Sequence, residues 1–144
     1  MNKFSHYTWS VAMDGAGDYS ESSVACGYGK TCTINTPARG ICPEGWHIPS
    51  ITEWNTLYSA IGSSPYAMQA EEYWTSPQDD YGFSALPAGI YNGDGFYTVG
   101  STAAYWSATE YTQDGAKYWN LGTGSAGSSD KGKYAGLSVR CVKD

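Results

Sequence analysis

The stretch GICPEGWHIPSITEW, residues 40–54, holds the strongest local signals for the fold of this chain. It brings Cys42, His47 and Glu53 close together, and these residue types could form a catalytic set, a metal site or a structural unit. A cysteine nucleophile needs a base within about 3 Å, and the intervening proline and glycine give no reason for His47 to face Cys42. Ser50 and Glu53 instead match the capping box that begins a helix. We therefore predict a structural role for this stretch, with His47 in a structural hydrogen bond.

The helix that follows is predicted by the spacing of its apolar residues. They recur at the interval of one helix face, at Trp54, Leu57, Tyr58 and Ile61. Gly62 then supplies the residue type that ends helices, so we predict a helix over residues 51–61. Two weaker helices are predicted, one within TWSVAMDGA (8–16) and a short one from Ser64 to about residue 72, where proline takes the first helical position.

After residue 75 the pattern changes from helices to strands. Short apolar runs alternate with Gly, Asn and Asp and read as strands: FSALPAGIY, GFYTVG, AAYWSATEY, AKYWNLG and GLSVRCV. NGDG (92–95) predicts a tight turn between two of them, and GTGSAGSSDKGK (122–133) predicts a loop or a loosely ordered hairpin tip. Helices followed by antiparallel strands indicate an α+β fold. The 144 residues fit one domain spanning residues 1–144.

The composition indicates a protein that recognises its partner through neutral polar and aromatic side chains rather than through charged ones. Charged residues make up 15 % of the chain, against about 25 % in typical soluble proteins, while Gly (18), Tyr (13) and Trp (6) are abundant. A net charge of −6 argues against nucleic acid and anionic membranes as partners. Lys131 and Lys133 form the closest basic cluster, which we expect to be a solvated turn. No apolar run is long enough to span a membrane, and we expect no signal peptide in this sequence because residues 1–10 lack an apolar core.

The four cysteines, Cys26, Cys32, Cys42 and Cys141, form an even set without a CxxC pair. That pattern disfavours zinc and thioredoxin chemistry and leaves three disulfide connectivities open. A local bond across GYGKT (27–31) would leave Cys42 to join Cys141, which would stabilise the fold by about 4–5 kcal/mol. Two such bonds would indicate an oxidising compartment. Four reduced thiols are the alternative.

Several motifs together resemble one known family. CGYGKTC, ARGICPEGWHIPSITEWNTL, YGFSALPAGIY, AAYWSATEY and GLSVRCVKD are similar to the Fibrobacter succinogenes major paralogous (FISUMP) domain, from residue 7 to residue 144. The resemblance implies a C-type lectin-like fold, in which two or three short helices pack on a small twisted antiparallel sheet. It also implies a Cys42–Cys141 bond and a secreted or cell-surface location in gut bacteria. Related proteins include formylglycine-generating enzymes and the variable proteins of diversity-generating retroelements.

The activities of those relatives do not transfer to this sequence. Formylglycine-generating enzymes need a pair of cysteines near the C-terminus, where this chain has Cys141 alone. Calcium-dependent lectins of that fold use EPN or QPD and WND motifs; none occurs here, although YWNLG (118–122) partly resembles the last. Three acidic or amide pairs could contribute to a calcium site: Asp79 with Asp80, Asn92 with Asp94, and Asp14 with Asp18. Calcium needs six to eight oxygens and turn chemistry explains each pair more simply, so we predict no catalytic residue, no metal site and no cofactor, with calcium as the open alternative.

The remaining signal is an excess of aromatic and small polar residues in the C-terminal half. We assign Trp106 to the core and expect the others to exceed what one small core can hold. Tyr, Ser, Gly and Asn are typical of recognition surfaces, and the candidate ligand-binding residues are Tyr105, Tyr111, Gln113, Asp114, Tyr118, Trp119, Asn120 and Tyr134. The sequence therefore predicts a non-catalytic extracellular module of a larger surface or phage protein, which binds a glycan or a cell-surface protein. Alternatives are an oxidoreductase scaffold of the formylglycine-generating type, which needs a reactive thiol, and a structural spacer.

Overall fold

The computed structural model describes residues 4–13 and 26–144, which form short helices and small antiparallel sheets. In chain order the elements are α1 (Trp9–Met13), β1 (Trp46–His47), α2 (Ile51–Ala60), a 3-10 turn (Tyr66–Met68), β2 (Ile90–Tyr91), β3 (Phe96–Tyr97), β4 (Thr102–Glu110), β5 (Gly115–Gly122), β6 (Ala126–Gly132) and β7 (Val142–Lys143). The sheets pair β1 with β7, β2 with β3, and β4 with β5 and β6. The α+β class is confirmed, with more sheet than helix.

Helix α2 begins where its capping box predicts. The Ser50 hydroxyl accepts a hydrogen bond from the Glu53 N–H at 3.2 Å, and Glu53 Oε2 accepts one from the Ser50 N–H at 2.8 Å. The helix ends at Ala60, and Gly62 takes the left-handed conformation (φ +76°) that glycine adopts without strain. The predicted helix over 51–61 is therefore confirmed to within one residue.

The other two predicted helices are confirmed in part. The first spans Trp9–Met13, and residues 14–16 of its predicted range lie outside the described residues. The third is a 3-10 turn that ends at Met68. It stops there because the backbone of residues 68–70 pairs with Ala85 instead: the Ala70 N–H donates to Ala85 O at 3.0 Å, and the Ala85 N–H donates to Met68 O at 2.8 Å.

Strand β4 lies between two hydrophobic cores. Successive side chains of a strand point to opposite faces, so Trp106 packs with Trp9 on one side while Tyr105 packs with Trp54 on the other. Both cores are closed to solvent, and all three tryptophans are at most 2 % exposed. Burial on both faces explains why β4 reads as a continuous apolar run rather than as alternating apolar and polar residues.

Two predictions about the strands need correction. Residues 122–133 are predicted as a loop or a loosely ordered hairpin tip, but only residues 123–125 form the tip, and most of the segment is β6, which pairs with β5 from Gly115↔Gly132 to Leu121↔Ala126. The small side chains of this segment carry no strand signal of their own, and the partner strand fixes its conformation. FSALPAGIY and GLSVRCV contribute only the short strands β2 and β7 and isolated bridges such as Tyr105↔Ser138.

A buried ion pair anchors the loop at residues 26–32 to the sheet. Lys133 is 1 % exposed, and its Nζ lies 2.6 Å from Glu110 Oε1 and donates to Lys30 O at 2.6 Å. The same carboxylate accepts from the Cys32 N–H at 3.0 Å. The expectation of a solvated turn is wrong for Lys133, because its charge is paired and hydrogen-bonded inside the protein, as burial requires.

Two disulfides complete the fold. Cys42 is bonded to Cys141 and Cys26 to Cys32, as predicted, and these bonds include all four cysteines of the sequence. In residues 4–13 and 26–144, no helix combines the length and the hydrophobicity needed to cross a membrane.

Candidate functional site

Three of the predicted binding residues lie in the core instead of on a surface. Tyr105 is 5 % exposed, Tyr118 is 8 % exposed and Trp119 is 1 % exposed. The expectation that one small core could not hold these aromatics is wrong, because the sheet has a core on each face: Tyr118 faces the side of Trp106, and Trp119 faces the side of Tyr105. Burial also raises the pKa of the Tyr105 phenol, against hydrogen bonds from Arg140 and a backbone N–H.

The other predicted residues are accessible, and three of them share one turn that is hydrogen-bonded to the chain beside Tyr134, since the Lys133 N–H donates to Asp114 O at 2.9 Å. Tyr111 and Gln113 are exposed at the turn between β4 and β5, where Lys117 Nζ lies 4.1 Å from the centre of the Tyr111 ring. Asp114, in the same turn, and Asn120, in β5, are half-buried. Tyr134 is 50 % exposed, and its ring contact is to Tyr28 rather than to Tyr111.

Four exposed aromatic rings lie in two pairs, and we call them the aromatic surface: Tyr28 with Tyr134, and Tyr91 with Phe96. The Tyr28 and Tyr134 rings meet edge to face at 5.6 Å, and the Tyr91 and Phe96 rings lie 5.1 Å apart. These side chains are between 37 % and 58 % exposed. Exposed clusters of large apolar side chains are typical of interaction sites.

The β2–β3 hairpin joins the two halves of the aromatic surface. Its turn at NGDG is confirmed, because the Asn92 N–H donates to Gly95 O at 2.9 Å. A Cβ atom on Gly93 would lie 4.0 Å from Tyr134 Cδ2, so the turn reaches the edge of that ring. Tyr91 exchanges backbone hydrogen bonds with Gly136 at 2.7 and 2.9 Å, which holds the hairpin beside the segment that carries Tyr134.

The border of the aromatic surface carries a few polar groups. The Tyr97 hydroxyl donates to both Asp94 oxygens, at 3.1 and 3.2 Å, and this bond to a carboxylate raises the pKa of Tyr97. The His6 ring stands edge-on to Phe96 at 5.1 Å, and its Nε2 lies 3.0 Å from Ala88 O. Three of the four rings, those of the tyrosines, carry a hydroxyl group, and none of the four carries a formal charge.

Sequence reasoning missed Tyr28, Tyr91 and Phe96, although signals for two of them were present. Tyr91 and Phe96 flank the predicted NGDG turn, and a strand of two residues leaves its aromatic side chains near solvent. Tyr28 lies in the loop closed by Cys26 and Cys32. No local pattern connects it to Tyr134, because only the folded chain brings these residues together.

The Cys42, His47 and Glu53 set of the opening stretch has no nucleophile. Cys42 is in a disulfide, and His47 lies between two carboxylates, with Nε2 2.9 Å from Glu53 Oε1 and Nδ1 2.6 Å from Asp144 Oδ1. Burial acts to lower the pKa of His47, but the bonds to Glu53 and Asp144 outweigh it and raise the pKa. A protonated imidazole donates to both carboxylates, so His47 ties β1 and α2 to Asp144 and has the expected structural role.

Two of the acidic residues considered for calcium, Asp79 and Asp94, are hydrogen-bonded within turns. Asp79 accepts hydrogen bonds from the N–H and the hydroxyl of Ser84, and Asp94 accepts from Tyr97. Asp14 and Asp18 lie outside the described residues. In the part of the chain that the structure describes, no three His, Cys, Asp or Glu side chains come together as metal ligands.

Comparison with known proteins yields one match. The family model described as Fibrobacter succinogenes major domain matches residues 2–143, nearly the whole chain. The resemblance drawn from the sequence motifs is therefore confirmed. No curated protein and no solved structure matches the chain.

Proposed function

Since this chain belongs to the Fibrobacter succinogenes major domain family, we propose that it is a non-catalytic module that binds a glycan through its aromatic surface. The observation that supports this proposal is the two pairs of rings, each ring at least 37 % exposed, that the β2–β3 hairpin brings beside each other. The aromatic surface shares only Tyr134 with the site expected from the sequence. The proposal therefore keeps the predicted class of function and moves the binding surface.

The chemistry of these rings favours a sugar over a charged partner. Aromatic side chains combine a large apolar face with, in tyrosine, a hydroxyl at the tip, and sugar rings present apolar C–H faces beside their hydroxyls. Tyrosines also supply contact area at a low cost in conformational entropy. The contacts between the rings hold the surface in one arrangement before a ligand arrives, which lowers the entropic cost of binding.

The proposed setting is extracellular. Two disulfides favour an oxidising compartment, and the family resemblance implies a C-type lectin-like fold in secreted or cell-surface proteins. Two helices beside a small antiparallel sheet are compatible with that fold. On this proposal the chain is one module of a larger surface or phage protein.

The test is a glycan-array screen of the protein and of two matched tyrosine variants. Tyr134→Ala removes the ring that joins Tyr28 to the hairpin, and we expect roughly a five- to thirtyfold loss of affinity for any glycan the native protein binds, since burying the exposed part of an aromatic ring contributes on the order of 1–2 kcal/mol. Tyr73→Ala is the control, because Tyr73 is as exposed (54 %) and lies outside the aromatic surface. Thermal melts of both variants separate lost binding from lost folding.

The outcomes separate the proposal from its alternatives. An equal loss of glycan affinity in Tyr134→Ala and Tyr73→Ala, or no loss in either variant, would refute binding at the aromatic surface. Binding to cell-surface proteins without any glycan signal would favour a protein partner, and no binding at all would favour a structural spacer. An oxidoreductase of the formylglycine-generating type needs a reactive thiol, so thiol titration of the native protein tests that alternative, and we expect no free thiol.

A further inference from the structure

Arg140, in the SVRC motif, lies at a cleft that is separate from the aromatic surface. The cleft has a volume of about 170 Å³ and runs along one side of α2. We call it the Arg140 cleft; its lining includes Glu53, Trp54, Leu57, Phe83, Arg140 and Val142. Ligand sites combine apolar walls with a few fixed polar groups, and this volume is below the roughly 300–1,000 Å³ of sites for drug-sized molecules. A group the size of one monosaccharide suits such a space.

Contacts with Phe83 hold the Arg140 guanidinium in place. It lies over the Phe83 ring, 4.3 Å from the ring centre, and its Nη2 donates to Phe83 O at 2.7 Å. Its positive charge also lies close enough to the buried Tyr105 phenol to oppose the rise in the pKa of that phenol. The chain on both sides is also fixed, because Ser138 is bonded to β4 and Cys141 to Cys42.

Arg140 has no anionic partner in the described part of the chain. No carboxylate there lies within 4.0 Å of its guanidinium, although four other ion pairs form. Guanidinium has five N–H donors arranged to bind a carboxylate, and the Phe83 carbonyl occupies only part of them. A half-buried arginine that is positioned but unpaired has the electrostatics of an anion site.

Trp54 forms part of the apolar wall of the cleft. It is 2 % exposed, and its Nε1–H is buried without a hydrogen-bond acceptor in the structure. Because that nitrogen is out of reach of solvent, Trp54 contributes apolar contact to the cleft and no donor for a ligand.

The acidic groups near the cleft are already engaged. Glu53 stands at the rim, where His47 Nε2 lies 2.9 Å from its Oε1. Burial favours a higher pKa for Glu53, but the Ser50 backbone and His47 outweigh it and lower the pKa, so Glu53 is ionised and paired. Glu53 therefore pairs with His47 and leaves the Arg140 guanidinium without a carboxylate partner among the described residues.

We propose that the Arg140 cleft binds the carboxylate of an acidic sugar unit, with Arg140 as the anion ligand and Phe83, Leu57 and Val142 against the apolar face of the sugar. The choice of a sugar, rather than another small carboxylate, rests on the proposed glycan-binding function. The cleft and the aromatic surface then contact different parts of an acidic glycan.

The experiment titrates the native protein with glucuronate and with glucose and follows backbone amide shifts by NMR. We expect glucuronate to shift amides around Arg140 and Val142 and to bind at least tenfold more tightly than glucose, and we expect this preference to shrink as salt rises. Arg140→Met keeps the apolar stem and removes the charge, and it should abolish the preference.

A second pair of variants avoids the risk that Arg140→Met disturbs the fold. Val142 is 37 % exposed at the cleft, so Val142→Glu adds a repelling carboxylate without touching either core, and Val142→Gln is its neutral match. We expect Val142→Glu to weaken glucuronate binding at least threefold relative to Val142→Gln.

Three results would overturn the proposal. These are equal affinity for glucuronate and glucose, equal behaviour of the two Val142 variants, and tighter binding of N-acetyl amino acids than of glucuronate. Tyr134→Ala separates this inference from the proposed function, because it should leave glucuronate binding at the Arg140 cleft unchanged. Glucuronate binding that disappears in Tyr134→Ala would place the sugar on the aromatic surface and refute the cleft.

Discussion

The two disulfides allow a prediction with a worked magnitude, because they differ mainly in the length of chain they close. Cys42 and Cys141 are 99 residues apart, whereas Cys26 and Cys32 are 6 apart. We compare the double variants Cys42→Ala/Cys141→Ala and Cys26→Ala/Cys32→Ala. The local pair is the control for the replacement of cysteine by alanine itself, since one cysteine of each pair, Cys26 or Cys42, is 3 % exposed.

The expected costs follow from the entropy that each cross-link removes from the unfolded chain. A loop of about 100 residues corresponds to about 4.7 kcal/mol, and a loop of about 7 residues to about 2.4 kcal/mol by the same relation. The long-range pair should therefore cost about 2 kcal/mol more. Since domains of this size have total stabilities of about 5–15 kcal/mol, the long-range variant loses a large share of its stability.

Urea unfolding of the native protein and both variants measures these costs. Removal of the long cross-link also lets the unfolded chain expand, so the dependence of unfolding free energy on urea should become steeper in that variant, because the slope scales with the surface exposed on unfolding. Equal losses of stability, or a larger loss for the local pair together with unchanged slopes, would refute the loop-entropy reasoning.

Two further predictions concern buried charges. His47→Asn should lower the unfolding free energy most at about pH 5 and least at about pH 8.5. The reason is that the raised pKa of His47 contributes stability that is present below the ordinary pKa of 6.5 and is lost as pH rises through the folded-state pKa. Urea titrations of the native protein and the variant at both pH values measure this, and a pH-independent difference in unfolding free energy would contradict it. Lys133→Met should lower the free energy of unfolding by about 3 kcal/mol, because it leaves Glu110 unpaired beside the core. Adding Glu110→Gln to this variant should recover part of the lost stability in the same assay. Additive losses in the double variant would show that the two side chains are not coupled.

The features that sequence predicted well depend on interactions between residues close together in the chain. Helix α2 begins at Ile51 because Ser50 and Glu53 satisfy each other's backbone N–H groups, and that pattern is visible in four consecutive residues. The NGDG turn is equally local. The Cys42–Cys141 bond was reached by a different route, through the spacing of the cysteines and the family resemblance of their motifs.

The candidate site was predicted poorly because exposure depends on what packs against each face. Alternation along β4 places Tyr105 and Trp106 on opposite faces whatever the fold. Whether the face of Tyr105 meets water or a second core depends on α2 and the segment around Ala85. No property of the strand itself contains that information.

The sequence by itself therefore determined the family, the start of α2 and the class of fold, because each follows from motifs and local hydrogen bonding. The tertiary structure alone decided which aromatics are buried and which form the aromatic surface. The ring centres of Tyr28 and Tyr134 lie 5.6 Å apart although more than one hundred residues separate them in the chain. The Arg140 guanidinium likewise packs on the ring of Phe83, which is distant from it in sequence. Such contacts depend on how two cores pack around one sheet, and a linear pattern does not record them.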